Sequence, residues 1–462
     1  MKKILALIVF IHALSLFSQV TIKGISRRPF NKFELGIKAD YLSNEESILI
    51  ETISDSIGRF NFYLDLEHVD KLFIKQGDFI GFLYAQPKAT YFIEFSERGF
   101  SNFSSGNEVE LTFIQLDSLD INYKILTFEN WLDKSLNILY PLKEKNTGEF
   151  LKEIKKFRSA VNEIYQQEKN PFFADFVKYS LGIHIEELQE FAAPNEVDKY
   201  RFYLEGTPVK WRHDKYFEFI TNYYDKYFYE QTQEKRQELM HHLDQGNAKY
   251  MLSILEKDSL IGSRPLAEIV SLLLVKDLYF DQVITKVTLL NFLKDFSQTT
   301  KILESKNAAT RFINQFNTLD AGDKLPSYQF GKLNIDQFAS KPIYIQFFNP
   351  SNKKCIAELA AMKKLHKTYG NYIQFLTIYK TQEYYSKADK TYLEQIQWQK
   401  TEISVEHPIW KDLDVFGFPY YVYVLPNLII GHLNALSPSP NGKYETIEKT
   451  LFEHKRMMEG EE

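Results

Sequence analysis

One thiol is available for chemistry in this chain. Cys355 is the only cysteine, and the pattern around it places it at the start of a helix. A thiolate there would be stabilised by the helix N-terminus and by the neighbouring Lys353 and Lys354. It could then attack a disulfide or be oxidised to a sulfenic acid. Without a second cysteine, a mixed disulfide formed on Cys355 would wait for a thiol from outside. The competing role for Cys355 is that of a small buried hydrophobe retained for packing, with Asn352 as a good helix cap in front of it. Other constellations offer less. Met240-His241-His242-Leu243-Asp244 pairs two imidazoles with an acid, but neighbours on a helix diverge by about 100° and do not face one metal. That segment reads as a solvated helix end. The chain has no Gly-rich phosphate loop, no Gly-x-Ser-x-Gly elbow and no His-Glu-x-x-His. No cofactor and no metal site are expected.

The elements that would hold Cys355 can be read from Lys341 to Tyr379. Pro342 to Phe348 is a short apolar run rich in β-branched and aromatic residues, which predicts a buried strand. Asn349-Pro350-Ser351-Asn352 turns the chain. Ile356, Leu359, Met362, Leu365 and Tyr369 then recur at helical spacing, with Ser351 or Asn352 as cap and Gly370 expected as a left-handed stop. Tyr372 to Tyr379 predicts a second strand. Two parallel strands with a crossover helix must be covered on both faces, so the unit belongs inside an α/β domain.

The segment resembles the active-site region of TlpA-like thioredoxin-fold proteins. There a strand leads through Phe-Trp-Ala-x-Trp-Cys-x-x-Cys into a helix, followed by a glutamate. Phe347-Phe348 match the aromatic pair, and Cys355 with Glu358 match the second cysteine and its downstream acid. Asn352 stands where the first cysteine belongs, so Asn352-Lys353-Lys354-Cys355 replaces Cys-x-x-Cys. In that family the first cysteine is the exposed nucleophile and the second the shielded resolving thiol. The resemblance therefore implies a fold kept and a dithiol reaction lost. It extends from about Asp320 to Phe452. Gly322-Asp323-Lys324-Leu325-Pro326 and Gly331-Lys332-Leu333 resemble the family's entry and lead-in hairpin. Pro419, in Gly417-Phe418-Pro419, matches the cis-proline that faces the active site. An antiparallel pair, Tyr420 to Leu425 and Leu428 to Leu433, and a closing helix, Tyr444 to Phe452, follow. Glu383 to Lys400 is expected as a second helix, with Trp398 and Trp410 packed near its end.

With 462 residues, 44% hydrophobic and 15% aromatic, the chain can fill more than one core. Its net charge of −5, with signs interspersed, argues against a nucleic-acid footprint. Lys2-Lys3 followed by the apolar Ile4 to Phe17 reads as an export signal, and no later run approaches a membrane span. From Val20 to about Phe113, short strands alternate with turns such as Asp55-Ser56-Ile57-Gly58, which predicts a β-sandwich. The run from Asp55 to Phe62 resembles the Asp-x-x-Gly-x-Phe-x-Phe hairpin of the small sandwiches that precede TlpA-like domains. Asp55 and Gly58 are given a structural role in it. From about Leu116 to Leu319 the spacing turns helical, with Phe172 to Phe191 and Tyr216 to Tyr229 among the candidate helices. The aromatic stripe Tyr216 to Phe228 is assigned to packing rather than to a ligand groove.

The expected architecture is multidomain: a signal peptide (1–18), an N-terminal β-sandwich (19–115), a helical middle region (116–319) and a C-terminal α/β thioredoxin-like domain (320–462). The expected function is that of an exported protein of the periplasm or cell envelope of a Gram-negative bacterium. It would bind extracytoplasmic proteins or peptides through Asn352, Phe418 and Pro419, without dithiol activity. The alternative is a monothiol oxidoreductase with Cys355 as its catalytic residue.

Overall fold

The computed structural model describes residues 19–77, 79–96, 108–186, 188, 196–281, 283–381, 385–415, 417–440 and 445–460. The expected export signal at 1–18 lies outside them. Contacts divide the chain into two compact units, 1–313 and 314–462.

The first unit opens with eight strands: β1 Gln19–Ser26, β2 Lys32–Lys38, β3 Glu46–Ile53, β4 Arg59–Asp65, β5 Asp70–Gln76, β6 Phe79–Ala85, β7 Thr90–Phe95 and β8 Leu111–Gln115. They form two four-stranded sheets, ordered β4-β1-β7-β8 and β3-β2-β5-β6. Alternating side chains of both sheets, among them Val20, Ile22, Phe33, Phe62, Leu72 and Ile93, fill one shared cluster, which is what period-2 hydrophobicity is for. Phe33 stacks on Phe60 at 4.0 Å between ring centroids. The hairpin turn at Asp55 is structural, as its residue types imply. Asp55 Oδ1 accepts from the Ile57 and Arg59 amides, both at 2.9 Å, and Gly58 takes φ +82° with no room for a Cβ, which would fall 1.9 Å from the Ser26 carbonyl oxygen.

Eleven helices follow among the described residues: α1 Ile121–Lys145, α2 Thr147–Tyr165, α3 Pro171–Leu181, α4 Glu196–Tyr203, α5 Asp214–Tyr223, α6 Tyr227–Glu230, α7 Gln233–Asp244, α8 Ala248–Glu256, α9 Arg264–Phe280, α10 Lys286–Thr299 and α11 Leu303–Phe316. Every residue of α9 from Leu266 to Val275 is buried, so this stretch of the helix is covered on all sides. Two expected helices are corrected. The one begun at Phe172 leaves α-geometry after Leu181 for a π-helical turn, Gly182–Glu186, where a Cβ on Gly182 would lie 2.7 Å from the Phe219 ring. The one expected from Tyr216 to Tyr229 is two helices, broken where Lys226 enters the left-handed region at φ 55°. The aromatic stripe is core: Tyr216, Phe217, Phe219, Tyr224, Tyr227 and Phe228 are all buried.

The second unit carries a small β9/β10 pair (Gln329–Phe330, Leu333–Asn334) and a five-stranded sheet of β11 Ile343–Phe348, β12 Gln374–Lys380, β13 Gln399–Ile403, β14 Tyr420–Leu425 and β15 Ile429–His432. The sheet order is β13-β12-β11-β14-β15. β12 runs parallel to β11 and β13, while β14 is antiparallel to β11 and β15. The helices are α12 Lys353–Tyr369, α13 Lys387–Glu394, α14 Ile409–Asp412 and α15 Glu448–Glu459. One sheet face packs Ile343, Ile345 and Phe347 into a cluster with Trp410; the other packs Tyr344 and Phe348 against α12 and Trp398.

Three local expectations fail here. Glu383 to Lys400 is not one helix, because Gln399 to Glu402 form a polar edge strand and α13 covers only Lys387–Glu394 behind a Ser386/Asp389 capping box. Trp398 and Trp410 accordingly sit on opposite faces of the sheet. Gly370 ends α12 in the right-handed region, at φ −61°. Glycine is needed there for space, since a Cβ would meet the His366 carbonyl oxygen at 2.6 Å.

Candidate functional site

β11 is buried along its whole length and delivers the chain to the N-terminus of α12. The turn between them is tied by side chains of its own sequence. The Asn349 side-chain oxygen accepts from the Ser351 amide at 3.0 Å, and the Ser351 hydroxyl donates to Asp389 at 3.1 Å. Asn352 then caps the helix, its Oδ1 accepting from the Lys354 amide at 2.9 Å and from the Cys355 amide at 3.1 Å. Two of the helix's unpaired amides are thus satisfied by a neutral oxygen. Lys353 and Lys354 are exposed.

Cys355 is 0% exposed. It lies in the apolar cluster with Tyr344, Phe348, Leu359 and Met362, and its Sγ accepts from the Asn349 amide at 3.5 Å. The geometry joins two of the expected site residues directly, through the Asn352 oxygen on the Cys355 amide. Phe418 is half-buried and packs against the clusters on both sheet faces, including the one that holds Cys355. Its ring meets Trp410 edge-on at 6.2 Å, and the Lys380 ammonium lies 5.0 Å from the Trp410 ring centre and 5.5 Å from that of Phe418. The Phe418–Pro419 peptide is cis, and Gly417, Phe418 and Pro419 remain partly exposed ahead of β14.

Beneath Cys355 runs a buried polar chain that the sequence reading missed apart from Glu358. The Trp398 indole N–H donates to Thr377 Oγ1 at 2.7 Å, and that hydroxyl donates to Gln346 Oε1 at 3.0 Å. Gln346 Nε2 donates to the Tyr421 hydroxyl at 3.2 Å, and Tyr421 donates to Glu358 Oε2. Strand register sets this up, since Gln346 lies opposite Thr377 on β12 and Tyr421 on β14. Direction is fixed from one end: an indole N–H can only donate, so each following hydroxyl proton must point onward to the carboxylate. Burial pushes the Glu358 carboxyl above its ordinary value, with Tyr421's donation and nearby Lys354 opposing the rise. The readable signal was Gln346 itself, a lone amide in the apolar run Ile343–Phe348, because a polar group there must be partnered.

Chemically, the arrangement holds one shielded thiol, a capped helix start and a carboxyl in a closed hydrogen-bond chain. Among the described residues no group of three His, Cys, Asp or Glu side chains is placed to hold a metal ion, and no helix is long and apolar enough to cross a membrane.

Neither a protein-family model nor a curated protein sequence matches the chain. Solved structures do. The thioredoxin domain of a thiol-disulfide oxidoreductase from Bacteroides vulgatus aligns at 17% identity and TM-score 0.24, over 29% of this chain and 99% of that one. A thioredoxin-like protein from Bacteroides caccae aligns at 15% identity and TM-score 0.31, over 57% and 96%. A putative thiol:disulfide interchange protein from Chlorobium tepidum aligns at 18% identity and TM-score 0.25, over 30% and 99%.

Proposed function

We propose that the chain is an exported cell-envelope protein in which a thioredoxin-fold domain has given up dithiol exchange and serves as a protein- or peptide-binding module. A β-sandwich and a helical region precede that domain. The observation that carries this is Asn352: its amide oxygen occupies the helix-start amides that would otherwise stabilise a nucleophilic thiolate, and its presence removes the partner that Cys355 would need. Complete burial of Cys355 fits the shielded half of the lost pair. The partly exposed segment Gly417-Phe418-Pro419 supplies main-chain groups and an aromatic surface of the kind to which an extended peptide adds. A monothiol oxidoreductase using Cys355 is the competing function, and it requires a disulfide to reach a sulfur that has no exposed surface.

Insulin reduction with an external dithiol separates the two. The binding module shows no turnover above background, and Asn352→Cys, which rebuilds Cys-x-x-Cys, gains it. Turnover by the unaltered protein that disappears in Cys355→Ser would instead establish the monothiol enzyme.

A further inference from the structure

The outer face of the β3-β2-β5-β6 sheet meets α5 across a cleft of about 310 Å³. This is within the range of small-ligand pockets, roughly 300–1,000 Å³. Its floor is built by register. Phe73 on β5 lies opposite Phe82 on β6, and Phe73 spreads over the space left by Gly36, where a Cβ would fall 2.2 Å from its ring. Its wall is Tyr41 stacked on Phe217 of α5, at 5.9 Å and 26° between planes.

All but one of the charged groups around these rings are matched in ion pairs. Lys71 is matched, donating to Asp214 Oδ2 at 2.9 Å, an oxygen that also accepts from Tyr84 at 2.6 Å. Glu218, which also lines the cleft, is taken by Lys215 at 3.0 Å. Lys38 has no such match: its ammonium donates to the side-chain oxygen of Asn44 at 2.9 Å, and among the described residues no carboxylate pairs with it. Lys71 and Lys276 act on it as like charges and Glu46 and Asp214 as opposite ones, but Glu46 is held by Lys75 and Asp214 by Lys71. A half-buried ammonium whose neighbouring carboxylates are already engaged by other cations is better accommodated when a further anion joins it.

We propose that this cleft is a binding site for a carboxylate borne on a flat or apolar group, the carboxylate pairing with Lys38 and the apolar group lying among Tyr41, Phe73, Phe82 and Phe217. The volume suits one residue-sized group, such as a small aromatic acid or the C-terminal residue of a peptide. The site shares no residue with the Cys355 region and stands whether or not that region binds peptides.

Calorimetric titration of the full chain with N-acetyl-phenylalanine and with its C-terminal amide tests the proposal without any variant. The acid is expected to bind and the amide to bind at least tenfold more weakly. Lys38→Met should reduce acid binding by a similar factor with an unchanged circular dichroism spectrum, and Lys38→Arg should restore part of it. Benzoate and acetyl-Ala-Ala-Phe assign the source: tighter binding of the peptide identifies a chain terminus, and tighter binding of benzoate a free acid. Equal binding of acid and amide, or no heat from either acid at millimolar concentration, overturns the proposal.

Discussion

Asn352 decides what the end of α12 can do. A cap of this kind contributes ~0.5–2 kcal/mol, so Asn352→Ala should lower the stability of the second unit by about that much in a denaturant titration, whereas Asn352→Asp should not. The buried chain from Trp398 to Glu358 has steeper local consequences. Gln346→Leu fits the apolar strand yet strands the Thr377 proton, and a buried group left without a partner costs ~1–3 kcal/mol. Glu358→Gln leaves Tyr421 an acceptor and removes a charge that burial opposes. Because the folded-state value of Glu358 lies above the unfolded one, its contribution is fully present below the unfolded value and is lost as pH rises through the raised one. Unit-two stability should therefore fall over that rise, and Glu358→Gln should flatten the fall. Asp277 makes the same kind of statement in the first unit. Burial, with Asp225 and Asp281 nearby and Lys276 opposing, raises it to about 6. Stability from this group is present below about pH 4 and lost by the time pH passes about 6. Asp277→Asn should raise the melting temperature at pH 8 and leave it nearly unchanged at pH 4; an equal gain at both would contradict the assignment.

At the level of elements, sequence pattern was informative wherever a segment is buried on one consistent face. Ile343–Phe348 is apolar but for Gln346 because both sides of β11 are covered, and α12 shows a clear period because only one side is. β13 was hidden for the opposite reason: as an edge strand it buries only Ile403, so Gln399 to Glu402 look like the tail of a polar helix. The break at Lys226 left no signal either, since no glycine or proline marks its left-handed backbone. Gly58 is a case where residue type told the truth. A Cβ there would collide with a carbonyl oxygen 1.9 Å away, and the positive φ adds ~1 kcal/mol or more for any other residue. Gly58→Ala should lower the melting temperature of the first unit, and Asp55→Ala should do so less, because backbone hydrogen bonds in the turn remain.

For the molecule as a whole, each unit holds its own apolar clusters. A fragment beginning at Asn314 is expected to fold alone, with cooperative unfolding and dispersed amide resonances; a molten fragment would show that its sheet needs the preceding residues. The candidate residues Asn352, Cys355 and Pro419 could be named from the sequence because cysteine, asparagine and proline carry recognisable roles at fixed positions. The polar chain beneath it and the Lys38 cleft were not, since each is assembled from residues far apart in the chain that only strand register or helix docking brings together.

The most direct test of the central claim is the alkylation rate of Cys355 by iodoacetamide in the folded protein as a function of pH, with and without denaturant. A thiol kept only for packing remains unmodified for hours in the native state and reacts to one equivalent once the chain is unfolded. Rapid native alkylation, with a midpoint below the free-thiol range of about 8.5, would mean that the helix end makes a reactive thiolate and would contradict a role for Cys355 in packing alone.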